Sequence, residues 1–326
     1  MKPTGGRHPA RQRLRLISFA CLTYALLAAA IAGCGSGPAV DSGGPLVGTD
    51  GRIAFMRATS FDGPNIESDI YAIDADGSGE SRLTETPENF DGMPAWSPDG
   101  ERIAFATDRD GGSWELYVMN SDGTQQRRLT STPEDESVPT WSPVGGKIAY
   151  ATDANGDNPS IWVMDADGSG RKQLASGLFP SWSPDGERIA FTAYYGERPY
   201  LAVMNADGSE QRSLGASLVQ KVFGIGVAEE PAWSPEGERI AFAAYVGRDN
   251  EEIFVMDVDG SGRTRLTEIP GNDHWPPTWS PDGTRIAFTS DGNEGRGEIY
   301  VMNADGSGLT QLTDDPADDA FPAWRP

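Results

Sequence analysis

The stretch PAWSPDGERIAF occupies residues 94–105, and the chain repeats it. Close copies stand at PTWSPVGGKIAY (139–150), PSWSPDGERIAF (180–191), PAWSPEGERIAF (231–242) and PTWSPDGTRIAF (277–288). Two fragments complete the series: DGRIAF (50–55) has only the second half, and PAWRP (322–326) has only the first. A motif that starts in its middle and ends in its middle belongs to a closed array whose last strand completes the first unit. Closure of that kind removes the exposed sheet edges an open array would present.

Working outward from the motif, a second element follows each copy: DIYAIDADGSG (69–79), ELYVMNSDGT (115–124), SIWVMDADGSG (160–170), YLAVMNADGS (200–209), EIFVMDVDGSG (252–262) and EIYVMNADGSG (298–308). A third, of RLT type, starts at 82, 128, 173, 212, 265 and 311. The six motif tryptophans are spaced by 45, 41, 51, 46 and 45 residues. A period of 40–50 residues made only of strand-like pieces is the mark of propeller blades. Each unit reads as four short strands. The Trp strand is first, and Ser97-Pro98-Asp99-Gly100 fits a type I turn into IAF. The β-rich LYVMN stretch is third, and the Asx turn DADGSG leads to the outer RLT strand. The expectation is an all-β, six-bladed propeller of four-stranded blades over 51–326, with 321–326 pairing beside 51–57. The paired PAWSPDGERIAF and IYVMNADGSG elements resemble the WD40-like PD40 repeat of TolB-type propellers, which implies the same fold over nearly all of 51–326.

Charge narrows the partners. With 26 Lys+Arg against 49 Asp+Glu the formal net charge is −23. Nucleic-acid binding needs clustered cations, so no nucleic-acid partner is expected, nor electrostatic docking on anionic lipid. The N-terminus reads as a targeting segment: Lys2, Arg7, Arg11, Arg13 and Arg15 precede the apolar run LISFACLTYALLAAAIAGC (16–34). Ile31-Ala32-Gly33-Cys34 resembles a bacterial lipobox, which implies cleavage after 33 and a diacylglyceryl group on Cys34. Residues 1–33 are then a signal peptide and 34–50 a lipidated Cys with a flexible Gly/Ser/Pro tether. The chain would be held by lipid on the extracytoplasmic side of a bacterial membrane, periplasmic or cell-surface. Cys21 and Cys34 are the only cysteines, so the propeller has none for a disulfide, a thiolate metal site or a nucleophile.

No catalytic or metal site is expected. His8 lies in the targeting segment and leaves His274 alone, and neither a G-x-S-x-G elbow nor a zinc motif occurs. No cofactor is expected. The DADGSG turns begin like an EF-hand loop, which makes calcium the one ion the pattern admits. The outer strand carries position 12 about 15 Å away, and Asp capping of the turn is the simpler reading.

A binding surface is sought where the repeats differ, because the scaffold is otherwise uniform. Those segments join the second strand to the third and one blade to the next, on one face. Five residues before the Trp, and three after IAF, the face carries Asp91, Asp108, Glu136, Asp153, Asp291 and Asp319, with Tyr194, Tyr195 and Tyr245 opposite. GASLVQKVFGIGVAEE (215–230) is an apolar insertion there, a plug or a partner-binding lid, and includes Phe223. His274-Trp275 is a packed corner or a contact pair. The function expected is a non-catalytic, lipid-anchored scaffold, monomeric, holding a protein or peptide of the cell envelope by this face. The alternative is a carbohydrate-active or metal-assisted enzyme, for which resemblance to oligogalacturonate lyase propellers would imply metal held by His and Gln ligands.

Overall fold

The computed structural model describes residues 51–58, 66–153, 159–195, 198–214, 225–246, 250–269, 273–292 and 295–326, with the side chains of 198, 225–228 and 273–275 excepted. The described residues form 24 strands in six four-stranded antiparallel sheets. Blade two shows the plan: inner strand Asp91–Trp96, second Arg102–Thr107, third Glu115–Asn120, outer Arg127–Arg128.

The repeats act as their chemistry requires. In the turn after Trp96, the Gly100 amide donates to the Ser97 carbonyl (2.8 Å), and Asp99 accepts both the Ser97 hydroxyl and the Glu101 amide. Gly100 has φ +65°, open to glycine at little cost. In the DADGSG turns the middle Asp is engaged locally: Asp76 accepts from the amide and hydroxyl of Ser78, and Asp167 does the same with Ser169. The small Ala of IAF permits close stacking of blades. Ala54 of blade one packs in one cluster with Trp96, Ile103 and Phe105 of blade two.

The ring closes as the offset fragments require. Blade one takes its inner strand, Asp318–Trp324, from the end of the chain, antiparallel to Arg52–Ala58. Trp324 stands opposite Ile53 and Asp319 opposite Arg57. Trp324 is 5% exposed and shares a core cluster with Ile53 and Phe55.

Two regularities were not read from the repeats. Each inner strand has X-Pro three residues before its Trp, and the X residue is left-handed in five blades: Met93, Val138, Phe179, Glu230 and Phe321, φ +44° to +58°. Such backbone costs about 1–3 kcal/mol per site. In blades two to five it coincides with a register shift against the second strand. The kinked strands aim Met93, Val138, Phe179 and Phe321, with the prolines that follow, into a channel cavity of about 160 Å³. The second regularity is an arginine that covers the neighbouring blade's Trp, taken up below.

Candidate functional site

The loop face has two unlike halves. In blades four and five the second strands, Arg188–Tyr195 and Arg239–Val246, and the third strand Arg198–Asn205 each run to 8 residues, and the inner strand Ile225–Trp233 to 9. At ~3.3 Å per residue, two added residues raise the hairpins by about 7 Å. Tyr195 ends the second strand of blade four and is 84% exposed, while Tyr194 and Tyr245 are half-buried.

Blades one to three carry buried acid–arginine pairs at their inner-strand entries. Asp91, Glu136 and Asp319 are all 0% exposed. Asp91 accepts two bonds from Arg109 Nη2 (2.9 and 2.8 Å) and one from Thr86 Oγ1 (2.6 Å). Asp319 is held bidentately by Arg57, Nε to Oδ1 at 2.7 Å and Nη2 to Oδ2 at 2.8 Å. Glu136 accepts from Arg171 Nη2 (2.8 Å) and Thr132 Oγ1 (2.6 Å). Each guanidinium also lies over aromatic rings of its blade: Arg57 over Tyr71 (4.7 Å), Arg109 over Tyr117 (5.0 Å), Arg171 over Trp162 (5.4 Å). Burial pushes the Asp319 carboxyl up, against the pull of Arg57. Glu136 is pushed up to about 7 by burial, with Thr132 lowering it and neighbouring Glu115 raising it.

The remaining acids of the face, Asp108, Asp153 and Asp291, are half-buried at the strand ends, and Asp108 Oδ1 accepts the Phe90 amide (2.8 Å). His274 and Trp275 lie on the inner strand Asp273–Trp279 of blade six, their side chains outside the described residues. Phe223 and Cys34 lie outside them altogether.

The arginines were missed, yet the repeats carry a signal for a related set. An acid opens the third strand, an arginine follows 13 residues later and a threonine 15 later: Asp69/Arg82/Thr84, Glu115/Arg128/Thr130, Glu252/Arg265/Thr267. The pairs close at 2.5, 2.6 and 2.5 Å. Each threonine hydroxyl accepts the amide of the residue after the acid, from Ile70, Leu116 and Ile253 at 2.8–2.9 Å. In blades one, two and five the RLT element is therefore an ion-pair clamp as well as an outer strand.

Blade six breaks this set. Glu298 and Thr313 are in place, hydrogen-bonded at 2.7 Å, but Gln311 stands where the other three blades have arginine. Burial pushes the Glu298 carboxyl up to about 7; Thr313 opposes this, Asp319 and Asp314 add to it, and Arg296 opposes it. A raised folded pKa means the folded state holds the proton more tightly, so stability is fully present below the unfolded value and falls as pH rises through about 7. Urea denaturation should show a loss of up to about 3 kcal/mol from this group between pH 4.5 and 8. Q311R should flatten that component by pairing the carboxylate. An unchanged slope in Q311R would refute the assignment.

Comparison with known proteins places this geometry. In the solved structures, TolB from Acinetobacter baumannii superposes with a TM-score of 0.73 at 22% identity, covering 85% of this chain and 67% of that one. Oligogalacturonate lyase from Vibrio parahaemolyticus superposes at TM-score 0.53 and 13% identity, covering 76% and 71%. Likeness at such identities shows the fold alone. Among curated proteins, the Tol-Pal system protein TolB of Thioalkalivibrio sulfidiphilus (strain HL-EbGR7) is 44% identical over 41 residues, 13% of this chain and 9% of that protein. The family model of the TolB beta propeller domain, PD40, matches residues 50–222 and 216–326. With its repeats, its blades and that match spanning the propeller from end to end, the chain belongs to the PD40 family of TolB-type β-propellers.

Proposed function

We propose that the chain is a non-catalytic binding propeller, anchored by lipid at Cys34 on the extracytoplasmic side of the membrane, that holds a protein or peptide of the cell envelope on its loop face. The observation that carries this reading is Tyr195, 84% exposed at the end of a lengthened strand. A large aromatic side chain held in water by a rigid strand pair is a typical binding anchor. Tyr194 and Tyr245 are the half-buried penultimate residues of the second strands of blades four and five, and the insertion that carries Phe223 lies between those two blades in sequence. Asp91, Glu136 and Asp319 serve this surface from beneath, by fixing the inner-strand entries, while Asp108, Asp153 and Asp291 give its rim an acidic character suited to a basic segment. The name of the curated relative, a Tol-Pal system protein, supports a protein partner.

The test is site-specific photo-crosslinking of the full chain in its own membrane. A crosslinker at Tyr195 should trap a discrete envelope protein. The same probe at Asp122, on the opposite face, should not. Changing Tyr194, Tyr195, Tyr245 and Phe223 to Ser should lower capture at least about tenfold with Tm preserved. Equal trapping from both faces, or none, would overturn the reading. Cys34→Ser should move the chain out of the membrane fraction.

A further inference from the structure

Five of the six seams between blades are sealed alike. A guanidinium from one blade lies over the Trp of the next: Arg102 over Trp141, Arg188 over Trp233 and Arg239 over Trp279 at 4.8 Å, Arg285 over Trp324 at 4.9 Å, and Arg325 over Trp96 at 5.3 Å. The seam between blades three and four departs from this. Where the guanidinium should stand over Trp182 the chain has Lys147, and its ammonium is turned to Asp165 Oδ1 at 2.9 Å.

The whole turn differs with it. Asp99-Gly100-Glu101-Arg102 in blade two and Asp185-Gly186-Glu187-Arg188 in blade four correspond to Val144-Gly145-Gly146-Lys147 in blade three. The carboxylate that engages the turn serine in those blades, Asp99 with Ser97 and Asp185 with Ser183, becomes an isopropyl group that is 70% exposed. The rim glutamate becomes a glycine. These replacements surround a cavity of about 520 Å³ lined by Val144, Val163, Leu174 and Trp182, with Lys147, Lys172 and Asp207 also in its wall. The volume falls in the range of small-molecule sites.

The two lysines decide what the cavity fits. The chain has only four, Lys2, Lys147, Lys172 and Lys221, and two of them border this one cavity. Lys172 Nζ gives one hydrogen bond to the Asp207 carbonyl at 2.9 Å, so two of its three N–H groups can still donate. The Asp207 carboxylate is itself engaged by the Ser209 amide at 2.9 Å. On a chain of net charge −23 a paired ammonium edge beside an indole is an anion-selective feature.

We propose that this seam is a binding site for a small aromatic carboxylate. Its ring lies against Trp182 and Val144, in the layer that arginine fills at the other seams, and its carboxylate meets Lys147 and Lys172. The site is on the turn face, opposite the loop face, and does not depend on the function proposed above.

The probe is 2-naphthoate, with 2-naphthylmethylammonium as its charge-reversed control, followed by saturation-transfer NMR on the full chain in lipid nanodiscs. Naphthoate should bind saturably, with Kd on the order of 10⁻⁴ M, and the ammonium analogue at least about tenfold more weakly. K172Q should weaken naphthoate about fivefold. K147R restores the arginine that stands at this repeat position in the seams closed by Arg102, Arg188, Arg239 and Arg285, so it should raise Tm and abolish binding. Equal binding of both probes, full affinity in K147R, or no saturation at millimolar naphthoate would each overturn the proposal. K172Q alters an exposed side chain, so it reports on the site even where K147R perturbs the seam.

Discussion

Replacing Trp324 with alanine is expected to cost about 3–5 kcal/mol, and deleting 321–326 to abolish the single cooperative unfolding transition. The two changes act on different things. Trp324 is buried against Ile53 and Phe55 and covered by Arg285, so its removal leaves a cavity at one seam. Gly51 sits so close that an added Cβ would meet the indole at 2.5 Å, and the cavity therefore opens directly against the backbone. Trp279, equally buried and equally stacked by Arg239, provides the control: its alanine variant should lose similar energy yet leave the ring closed. Deletion instead removes the pairings of Trp324 and Ala323 with Ile53 and Ala54 and bares that end of Arg52–Ala58, where Ile53, Ala54 and Phe55 are all fully buried. A bare edge with that composition pairs with other chains. Urea titration with size-exclusion chromatography should show a broadened transition and association for the deletion alone. A deletion variant that stays monodisperse with an unchanged m-value would mean the clasp does not hold the ring.

What could be read from the repeats was whatever recurs in each of them. Trp96, the SPDG turn and IAF are periodic because each blade solves the same packing problem, and the offset of DGRIAF and PAWRP carried the closure itself. The rest depended on pairs distant in sequence or on departures from the repeat. Arg57 is 262 residues from Asp319, and nothing local marks the two as partners. Asp91, Glu136 and Asp319 were expected among the acids of the loop face, with no sequence signal for their burial. Their burial follows from guanidinium groups supplied by the second strand in blade one, by the turn just after it in blade two and by the turn before the outer strand in blade three. The left-handed residues before proline gave no compositional hint either, because Met93, Val138 and Phe179 are large side chains in a conformation that usually belongs to glycine. By contrast, the spacing of 51 between Trp182 and Trp233 marks the 215–230 insertion between blades four and five.

The Arg57–Asp319 pair joins the two ends of the propeller, and its two halves should not be equivalent. Asp319→Ala leaves Arg57 with other acceptors: Glu80 at 2.8 and 3.0 Å, and Asp315 at 3.5 Å. Its guanidinium also keeps the Phe55 and Tyr71 rings beneath it. The cost should be about 1–2 kcal/mol, the value of a charged hydrogen-bonded contact partly replaced. Arg57→Ala instead strands a carboxylate that no solvent reaches, and breaking a buried pair in that sense costs about 3–5 kcal/mol. The asymmetry has a pH signature. Burial already pushes the Asp319 carboxyl up, with Arg57 opposing it; without Arg57 the folded-state value rises further above the unfolded one. The folded variant then binds a proton that the unfolded chain releases, so its stability falls as pH rises through the acidic range toward the raised value. Denaturation of R57A should therefore show its smallest deficit near pH 5 and its largest near pH 8, while the deficit of D319A, which lacks the raised wild-type carboxyl, should shrink or hold over that range and not grow. Equal deficits for the two variants at pH 8, or an R57A deficit independent of pH, would show that the pair sits in a far more hydrated place than its geometry indicates.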